Sequence, residues 1–471
     1  MEQKFIRMNN LKNSWFWNTS IWGIVLLFTG LYISLIFSHN VWTDEAFTLQ
    51  LLRGNMAEII TGTAQDVHPP LYYLYAKLFT MFLGDSLLVQ KIVVIIPMVA
   101  TLIVGATVVR CHFGNRTSFL FLLFLTCIPC SMEFAVQVRM YSLALLSVTL
   151  CGLYAYLAFI KGKKQYFVIF AIGGVVAAYT HYFAFVAVII ITGLLLLAIL
   201  IWNRKRLTSF LIAGGGMILC YLPWFPFMLH QIISVEAGYW IPEITADTIW
   251  SYFIWTFGLT AFSAAVYIFI LILKGVGIYN IVNITLERKA EDIYALLCML
   301  VPMLSAIIGV ILSVWKTPIY RDQYVFPALG MLALFFGLTM RRAKSWVLVV
   351  ISVYLLTTGA MQYKECFIQE YRSTFTPQTE EFFNENLCEN DFIVYNWDSY
   401  GFVYECYFPM EQLVYLEEFD FSVDFGTLWF LDTEWMPEVD LSVLEANGLV
   451  MEYVGHYGVE HNEFDMYRIY R

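Results

Sequence analysis

Charged side chains are scarce in this 471-residue chain, and their scarcity excludes an ordinary soluble enzyme. Asp, Glu, Lys and Arg make up 14% of the residues, whereas apolar and aromatic types make up 60%. Soluble globular proteins carry about 25% charged residues. Together with a mean hydropathy of +0.67, this composition predicts a polytopic α-helical membrane protein.

Positive charge is scarcest towards the C-terminal end. Residues 363–471 contain 23 Asp and Glu but only 4 Lys and Arg, a net charge of −19, whereas residues 1–362 carry a net charge of +9. Lys and Arg normally set the topology of membrane proteins. The chain is therefore predicted to have a basic membrane domain at 1–362 and an acidic domain of unknown role at 363–471.

Long apolar runs predict about eleven membrane spans, each with roughly the 20 mostly apolar residues that a spanning helix needs. The runs lie near residues 20–38, 87–109, 117–134, 139–160, 166–180, 182–202, 208–228, 249–273, 293–314, 323–340 and 345–362. With the N-terminus in the cytoplasm, all six clusters of basic residues fall on the cytoplasmic side, as the positive-inside rule requires. We therefore expect a multi-pass protein of the cytoplasmic membrane with its C-terminal domain outside.

The apolar segment 70–83 is too short for a span. Its 14 residues match the length of re-entrant or interfacial segments. Counting it as a span would also place Arg110 and Arg116 outside the cell. A juxtamembrane helix is expected there, within a long external loop at 39–86.

After the last predicted span, the pattern changes to that of a small α/β domain. Thr376 and Pro377 are typical of a helix start, as N-cap and first helical residue, and predict a helix to about Leu387. Five strands are expected at 391–396, 412–416, 427–431, 449–455 and 464–470, with helical pieces at 400–407 and 441–446. Cys366, Cys388 and Cys406 allow at most one disulfide bond.

Ionisable residues gather in the segments that this topology places outside. Asp44 and Glu45 follow the first span, and Asp66 and His68 stand before two prolines in the same loop. The later external turns add Arg139 and Tyr141, His181, and Lys316 and Arg321. Because ionisable groups are costly at membrane level, such a set on one face indicates a functional site.

Each candidate also has a structural interpretation. Asp44 and Glu45 suit the first turn of a helix, as cap and as dipole partner. Arg139 can snorkel to the interface, and His68 can serve only to fix a turn, since the following proline favours an extended backbone. Tyr72 and Tyr73 are typical interface anchors, or aromatic surfaces for a sugar or isoprenoid.

Four strings in this order resemble the bacterial family of protein O-mannosyltransferase-related enzymes. They are DEAFTLQLLRG from Asp44, D-x-HPPLYYL from Asp66, RMYSL from Arg139 and THYF from Thr180. The family comprises membrane glycosyltransferases of GT-C type, of the family-39 and RgtA/B/C/D-like kind. The resemblance covers most of residues 20–340 and does not extend to the acidic domain.

The resemblance implies a hexosyl- or pentosyltransferase that moves a sugar from a polyprenyl-phosphate donor to an acceptor at the outer face of the membrane. Asp44 would be the general base, with Glu45 beside it, and the reaction would invert the anomeric centre. Arg139 matches the arginine of the family's R-x-Y string. This chain departs from the family pattern at Gln137 and at the pair Gln323-Tyr324. These departures bear on the assignment of the phosphate-binding residues more than on that of the general base.

The residues suit this chemistry independently of the resemblance. A glycosyl phosphate has a good leaving group, so transfer needs a base for the acceptor proton and positive charge for the departing phosphate. The donor-binding candidates are Arg139, Arg321, Lys316, His68, Tyr141, Tyr72, His181 and Asp66. A divalent cation such as Mg²⁺ or Mn²⁺ remains open, because Asp44, Glu45, Asp66 and His68 offer suitable ligands.

Two other function classes compete with the enzyme. A transporter or flippase of lipid-linked sugars would also need many spans, but it should show internal repeats and charges deep within spans. A sensor or assembly factor would use the membrane domain as an anchor, for which eleven spans are excessive. The sequence identifies neither the sugar nor the acceptor (protein, glycolipid or cell-wall polymer), and it gives no indication of a nucleic-acid partner.

Overall fold

The computed structural model describes residues 2–236, 241–257, 286–371, 375–433, 448–460 and 462–471. The chain forms two compact units. The membrane unit comprises Met1–Ile36 and Gly54–Lys364, and the C-terminal unit comprises Phe37–Arg53 and Glu365–Arg471. The segment that carries Asp44 and Glu45 therefore belongs to the same unit as the acidic tail.

The membrane unit is helical throughout its described length. Its helices are α1 (Glu2–Leu35), α3 (Met56–Gln65), α4 (Leu71–Leu83), α5 (Leu87–Val104), α6 (Asn115–Cys127), α7 (Pro129–Val136), α8 (Tyr141–Lys161), α9 (Lys164–Ala178), α10 (Tyr182–Trp202), α11 (Leu207–Tyr221), α12 (Phe225–Glu236), α13 (Ala246–Phe257), α14 (Leu286–Trp315), α15 (Leu329–Met340) and the first part of α16 (Ser345–Tyr371). The label α2 is kept for Thr43–Arg53 of the other unit.

Within the described part of the chain, seven helices are long and apolar enough to cross a membrane, or nine if each of two bent pairs is one span. The run at 166–180 forms α9, a shorter apolar helix, and the run at 249–273 continues from α13 into residues outside the described ranges. The multi-pass architecture is confirmed, whereas the count of eleven stays a prediction. The segment at 70–83 is helical, as α4.

Two predicted spans are broken, and proline accounts for the clearer break. The run at 117–134 bends by 74° between α6 and α7. Ile128, at the break, is extended because Pro129 disfavours a helical backbone at the residue before it. The run at 208–228 bends by 64° between α11 and α12.

The C-terminal unit is a small α/β domain, as predicted. Its helices are α2, the end of α16, α17 (Thr376–Asn386) and α18 (Gly401–Tyr407), and its strands are β1 (Phe392–Tyr395), β2 (Leu413–Tyr415), β3 (Leu428–Asp432), β4 (Val450–Val459) and β5 (Asn462–Tyr470). The sheet order is β2-β1-β3-β5-β4. Strand β1 is parallel to β2 and β3, and β5 is antiparallel to β3 and β4.

One detail of this domain differs from expectation, the cysteines are consistent with it, and one expected helix lies outside the described residues. The N-cap of α17 is Phe375 rather than Thr376, because the Thr376 hydroxyl instead accepts a hydrogen bond from the Glu460 backbone N–H at 2.8 Å. All nine cysteines are free thiols. The helical piece expected at 441–446 lies outside the described residues.

Candidate functional site

A cavity of about 410 Å³ lies in the membrane unit, at the N-terminal end of α10, along α12 and at the C-terminal end of α14. We call it the donor cavity, because it is lined by three of the residues predicted from the sequence to bind a donor, His68, His181 and Lys316. Most of its wall is apolar, from aliphatic residues such as Val186, Ile189, Ile232 and Leu312 and from the rings of Phe183 and Phe185. Polar groups come from His68, His181, Tyr182, Gln231, Lys316 and Tyr324. A largely apolar cavity with a few polar groups is the usual form of a ligand site.

A chain of hydrogen bonds runs from the first loop to the start of α8 within the membrane unit. Asp66 Oδ2 lies 2.8 Å from His68 Nδ1, and His68 Nε2 lies 3.4 Å from an Arg139 guanidinium nitrogen. A guanidinium only donates hydrogen bonds. His68 Nε2 must therefore accept, which leaves the His68 proton on Nδ1, where it is donated to Asp66.

Arg139 is held in place as well as buried. Arg139 is only 3% exposed. The second terminal nitrogen of its guanidinium donates to the Tyr73 hydroxyl at 3.3 Å. Arginine suits phosphate because its planar fork makes two charge-assisted hydrogen bonds. The arrangement therefore presents a fixed cation next to His68, which itself lines the donor cavity.

The Asp66 carboxyl stays ionised although it is largely buried. Burial opposes its ionisation, but the hydrogen bond from His68, the Val67 backbone N–H and the charge of Arg139 outweigh burial, and the pKa falls below its ordinary 3.8. The stabilisation from this carboxylate is thus present above pH 3.8 and is lost only as the pH falls through the lowered pKa. Asp66 acts here as an anion that orients His68.

His181 forms the second polar feature of the cavity and caps α10. Its Nδ1 accepts the backbone N–H of Phe183 at 3.1 Å. Its ring centroid lies 5.1 Å from that of Tyr324, 5.7 Å from that of Tyr141 and 6.2 Å from that of His68. Burial, together with the nearby charge of Arg139, lowers the pKa of His181 well below 6.5.

This lowered pKa predicts acid sensitivity. The unfolded chain binds a proton at His181 near pH 6.5, whereas the folded protein does so only at lower pH, so stability should fall as the pH drops below about 6.5. We expect the unfolding midpoint in detergent to fall by a few degrees between pH 7.5 and 5.5. His181→Asn keeps a capping oxygen, and its unfolding midpoint should vary less with pH. An equal pH dependence in this variant would contradict the assignment.

Lys316 and Gln231 complete the polar lining from two different helices. Lys316 directly follows α14, and the turn after it is fixed because the Ser313 hydroxyl accepts the backbone N–H groups of Ile319 and Tyr320. Gln231 of α12 donates to the Thr63 carbonyl at 2.7 Å and accepts from the Tyr182 hydroxyl. Sequence reasoning missed Gln231, since an isolated glutamine in an apolar run carries no recognisable pattern.

The remaining predicted residues of the membrane unit lie near this site in different ways. Tyr141 contacts the His181 ring, and Tyr72 is buried with its ring centroid 5.5 Å from that of Tyr73. Arg321 Nε lies 3.9 Å from the Asp322 carboxylate, and Arg321 is not among the cavity-lining residues in the described part of the chain. Tyr324 lines the cavity. From the sequence it was identified only as part of a departure from the family pattern.

Asp44 and Glu45 occupy the first turn of α2, in the C-terminal unit. Asp44 is exposed within the described structure. Glu45 is 2% exposed, and its carboxylate accepts the backbone N–H of Trp42 at 2.9 Å. That bond is one half of a capping box, so Glu45 fixes the start of the helix while Asp44 remains accessible.

Helix α2 is held by the acidic domain of its own unit. The Tyr407 hydroxyl accepts the Val41 backbone N–H at 2.9 Å and donates to the His39 carbonyl at 3.2 Å. Arg53, at the other end of α2, pairs with Glu405 at 3.3 Å. These contacts fix both the segment that leads into Asp44 and the end of the helix.

Few side chains that could hold a metal ion come together in the described structure. Across the described ranges, no three His, Cys, Asp or Glu residues come together in a manner suited to a metal ion. Asp66 and His68 supply a pair in the membrane unit, and that pair is satisfied by its mutual hydrogen bond and by Arg139.

Comparison with solved structures identifies the fold. The chain is similar to ArnT from Cupriavidus metallidurans in the apo state, with a TM-score of 0.59 at 12% identity over 94% of this chain and 98% of ArnT. It is equally similar to ArnT bound to undecaprenyl phosphate, with a TM-score of 0.58 at 12% identity over 95% and 97% of the two chains. No protein-family model and no curated sequence matches. The chain thus has the GT-C fold that its motifs predicted.

Proposed function

We propose that this protein transfers a sugar from a polyprenyl-phosphate donor to an acceptor hydroxyl at the outer face of the cytoplasmic membrane. The observation that carries the proposal is the donor cavity, whose largely apolar wall also carries Lys316, His68 and His181. A prenyl chain needs the apolar wall, and a phosphate needs the cationic and polar groups. The likeness to ArnT, one of whose structures contains undecaprenyl phosphate, supports the same class of donor.

The phosphate of the donor would be held by the polar groups of the membrane unit. Arg139 is fixed by His68 and Tyr73, and Lys316 lines the cavity itself. Both cations would stabilise the negative charge that grows on the phosphate as the glycosidic bond breaks. Arg321, His181, Tyr141 and Tyr72 are proposed to support this group through packing and hydrogen bonding.

Asp44 is proposed as the general base. The acceptor oxygen attacks the anomeric carbon, the bond from that carbon to the phosphate oxygen breaks, and Asp44 takes the acceptor proton. The leaving polyprenyl phosphate carries the electron pair away, so no acid is required. Attack opposite the leaving group would invert the anomeric centre. Glu45 positions this base by capping α2.

The acidic C-terminal domain is proposed to hold Asp44 in place. Its Tyr407 and Glu405 contact the two ends of the segment that contains α2. This gives the domain at 363–471 a positioning role, with the membrane domain at 1–362 supplying the donor site. An extracytoplasmic position for the acidic domain is part of this proposal and is supported by the distribution of Lys and Arg among the predicted loops.

A positioning role for Tyr407 predicts a specific kinetic defect. Tyr407→Phe removes both hydrogen bonds to the backbone at His39 and Val41 but keeps the ring. We expect kcat to fall about tenfold with KM for the donor unchanged, because a misplaced base affects only the transition state. Tyr415→Phe, on strand β2 of the same unit, is the matched control. A rise in donor KM with constant kcat would contradict this role.

The proposal is tested by incubating the purified protein with a panel of polyprenyl-phosphate sugars and an extract of cell-envelope acceptors. Release of free polyprenyl phosphate that depends on both donor and acceptor is the expected result. Absence of release from every hexose and pentose donor would refute the proposal. Movement of intact donor across a vesicle membrane without release would instead favour a flippase.

A further inference from the structure

The last turn of α3 is buried, and its carbonyl groups need partners from outside the helix. The carbonyls of the last turn of a helix have no partner within it. Thr63 is 0% exposed, so bulk water does not reach its carbonyl, and an unpaired buried carbonyl is costly. The partner is Gln231 of α12. Its Nε2 donates to the Thr63 carbonyl at 2.7 Å and lies 3.5 Å from the Ala64 carbonyl.

The other end of the Gln231 amide is bonded as well. Its Oε1 accepts from the Tyr182 hydroxyl, which in turn accepts from the Trp224 indole N–H at 3.2 Å. Gln231 is 2% exposed and lies in the largely apolar wall of the donor cavity. A buried polar side chain is costly unless its groups are bonded, and a fully bonded one specifies a single arrangement of its neighbours.

The two groups that Gln231 joins stand beside the two histidines of the cavity. The loop that begins at the end of α3 carries His68. Tyr182 is the first residue of α10 and directly follows His181, the cap of that helix. One side chain of α12 therefore links the segment before one histidine to the residue after the other.

The loop at 66–70 is attached at its other end too. The Leu71 backbone N–H, at the start of α4, donates to the Tyr179 carbonyl at 3.0 Å. Both attachments lead to the residues that connect α9 and α10. The loop therefore has two fixed ends, and these ends set the position of His68 within it.

We propose that Gln231 is a positioning residue of the donor site, which holds the loop at 66–70 so that His68 supports Arg139 and faces the donor cavity. This inference rests on the proposed function, because the donor is the ligand that these groups would bind. His68 Nε2 lies 3.4 Å from the Arg139 guanidinium, and its ring centroid lies 6.2 Å from that of His181. Both separations depend on where the loop begins, at the carbonyls that Gln231 binds.

Removing the amide of Gln231 tests this role. Gln231→Met keeps the length and apolar contacts of the side chain but can no longer donate to Thr63 or accept from Tyr182. We expect kcat/KM for the donor to fall about tenfold, mainly through a higher donor KM, because displaced groups bind a fixed ligand less well. An unchanged donor KM in a folded Gln231→Met protein would contradict the role.

Gln90→Met is the matched control. Gln90 is also 2% exposed and also donates to a loop carbonyl, that of Asp85, at 3.0 Å. It does not belong to the described lining of the donor cavity. This variant should lose similar thermal stability but keep its donor KM within about twofold of wild type. An equal rise of donor KM in both variants would overturn the inference.

A double-mutant cycle separates positioning from a general loss of structure. If Gln231 acts through His68, adding Gln231→Met to His68→Ala should lower kcat/KM by less than about twofold further. If the two residues act independently, their losses multiply, and the double variant should lose about another tenfold. A multiplicative loss would overturn the inference.

Hydrogen exchange tests the placement without any donor. Exchange of the backbone amides in residues 64–72, followed by mass spectrometry in detergent, should be about tenfold faster in Gln231→Met than in wild type and unchanged in Gln90→Met. Unchanged exchange in Gln231→Met would overturn the inference even if transfer is intact. Faster exchange, with no transfer from any donor by the wild type, would refute the proposed function alone.

Tyr182→Phe provides a milder variant if Gln231→Met does not fold. It removes the hydroxyl that orients the Gln231 amide but keeps the aromatic ring and the bond to Thr63. Exchange in residues 64–72 should be about threefold faster than in wild type. Exchange at the wild-type rate would contradict the role of the amide in holding the loop.

Discussion

Replacing Asp44 with Asn is expected to lower kcat for sugar transfer by about 10²–10⁴-fold, the usual contribution of a general base. Asn is nearly isosteric with Asp, but it cannot take the acceptor proton. Because Asp44 is exposed at the first turn of α2, the nearly isosteric substitution should preserve the fold. Binding of the donor should therefore be unchanged.

A matched variant separates loss of the base from loss of negative charge. Asp85→Asn removes an exposed acid just after α4, in a loop that the topology also places outside, and should keep full activity. Initial rates with a radiolabelled polyprenyl-phosphate sugar measure both variants. Full activity of Asp44→Asn, or an equal loss in Asp85→Asn, would show that Asp44 is not the base.

Replacing Arg139 with Gln is expected to have the second largest effect, a loss of about 10²–10³-fold in kcat/KM. The variant removes a buried cation held by His68 and Tyr73, so both donor binding and leaving-group stabilisation should suffer. Arg139→Lys retains the charge but not the planar fork. It should recover about tenfold of the loss.

Burial of Arg139 makes a folding control necessary. Tyr73→Phe removes one hydrogen bond to the guanidinium without altering its charge, and should change kcat/KM by less than about threefold. Thermal unfolding in detergent shows whether each variant is folded. A folded Arg139→Gln protein with wild-type kcat/KM would exclude Arg139 from phosphate binding.

Much of the fold could be predicted because its signals are local. Apolar runs of about 20 residues predict spans, and the changed pattern after residue 362 predicted all five strands of the described sheet. The break at Ile128 had a local signal too, in Pro129, but a continuous apolar run obscured it. The helix at 71–83 was predicted from its length and from the positions of Arg110 and Arg116.

The site was harder to predict because its contacts are distant in sequence. His68 and Arg139 are 71 residues apart, and their approach depends on how the helices pack. The placement of α2 depends on the hydrogen bond between Tyr407 and Val41, which are 366 residues apart. No periodicity in the sequence indicates such a contact. Gln231 was missed for the same reason, since its partner Thr63 is 168 residues away.

Sugar transfer in proteoliposomes is the most direct test of the central claim, that the membrane unit binds a polyprenyl-phosphate sugar and the chain transfers its sugar. Labelled donor is supplied in the lipid, acceptor is supplied outside, and label in the acceptor is counted for wild-type protein and Asp44→Asn. The account predicts acceptor labelling by the wild type and labelling lowered by about 10²-fold or more in the variant. Labelling that is equal in the two proteins, or absent from the wild type while the donor changes leaflet, would contradict it.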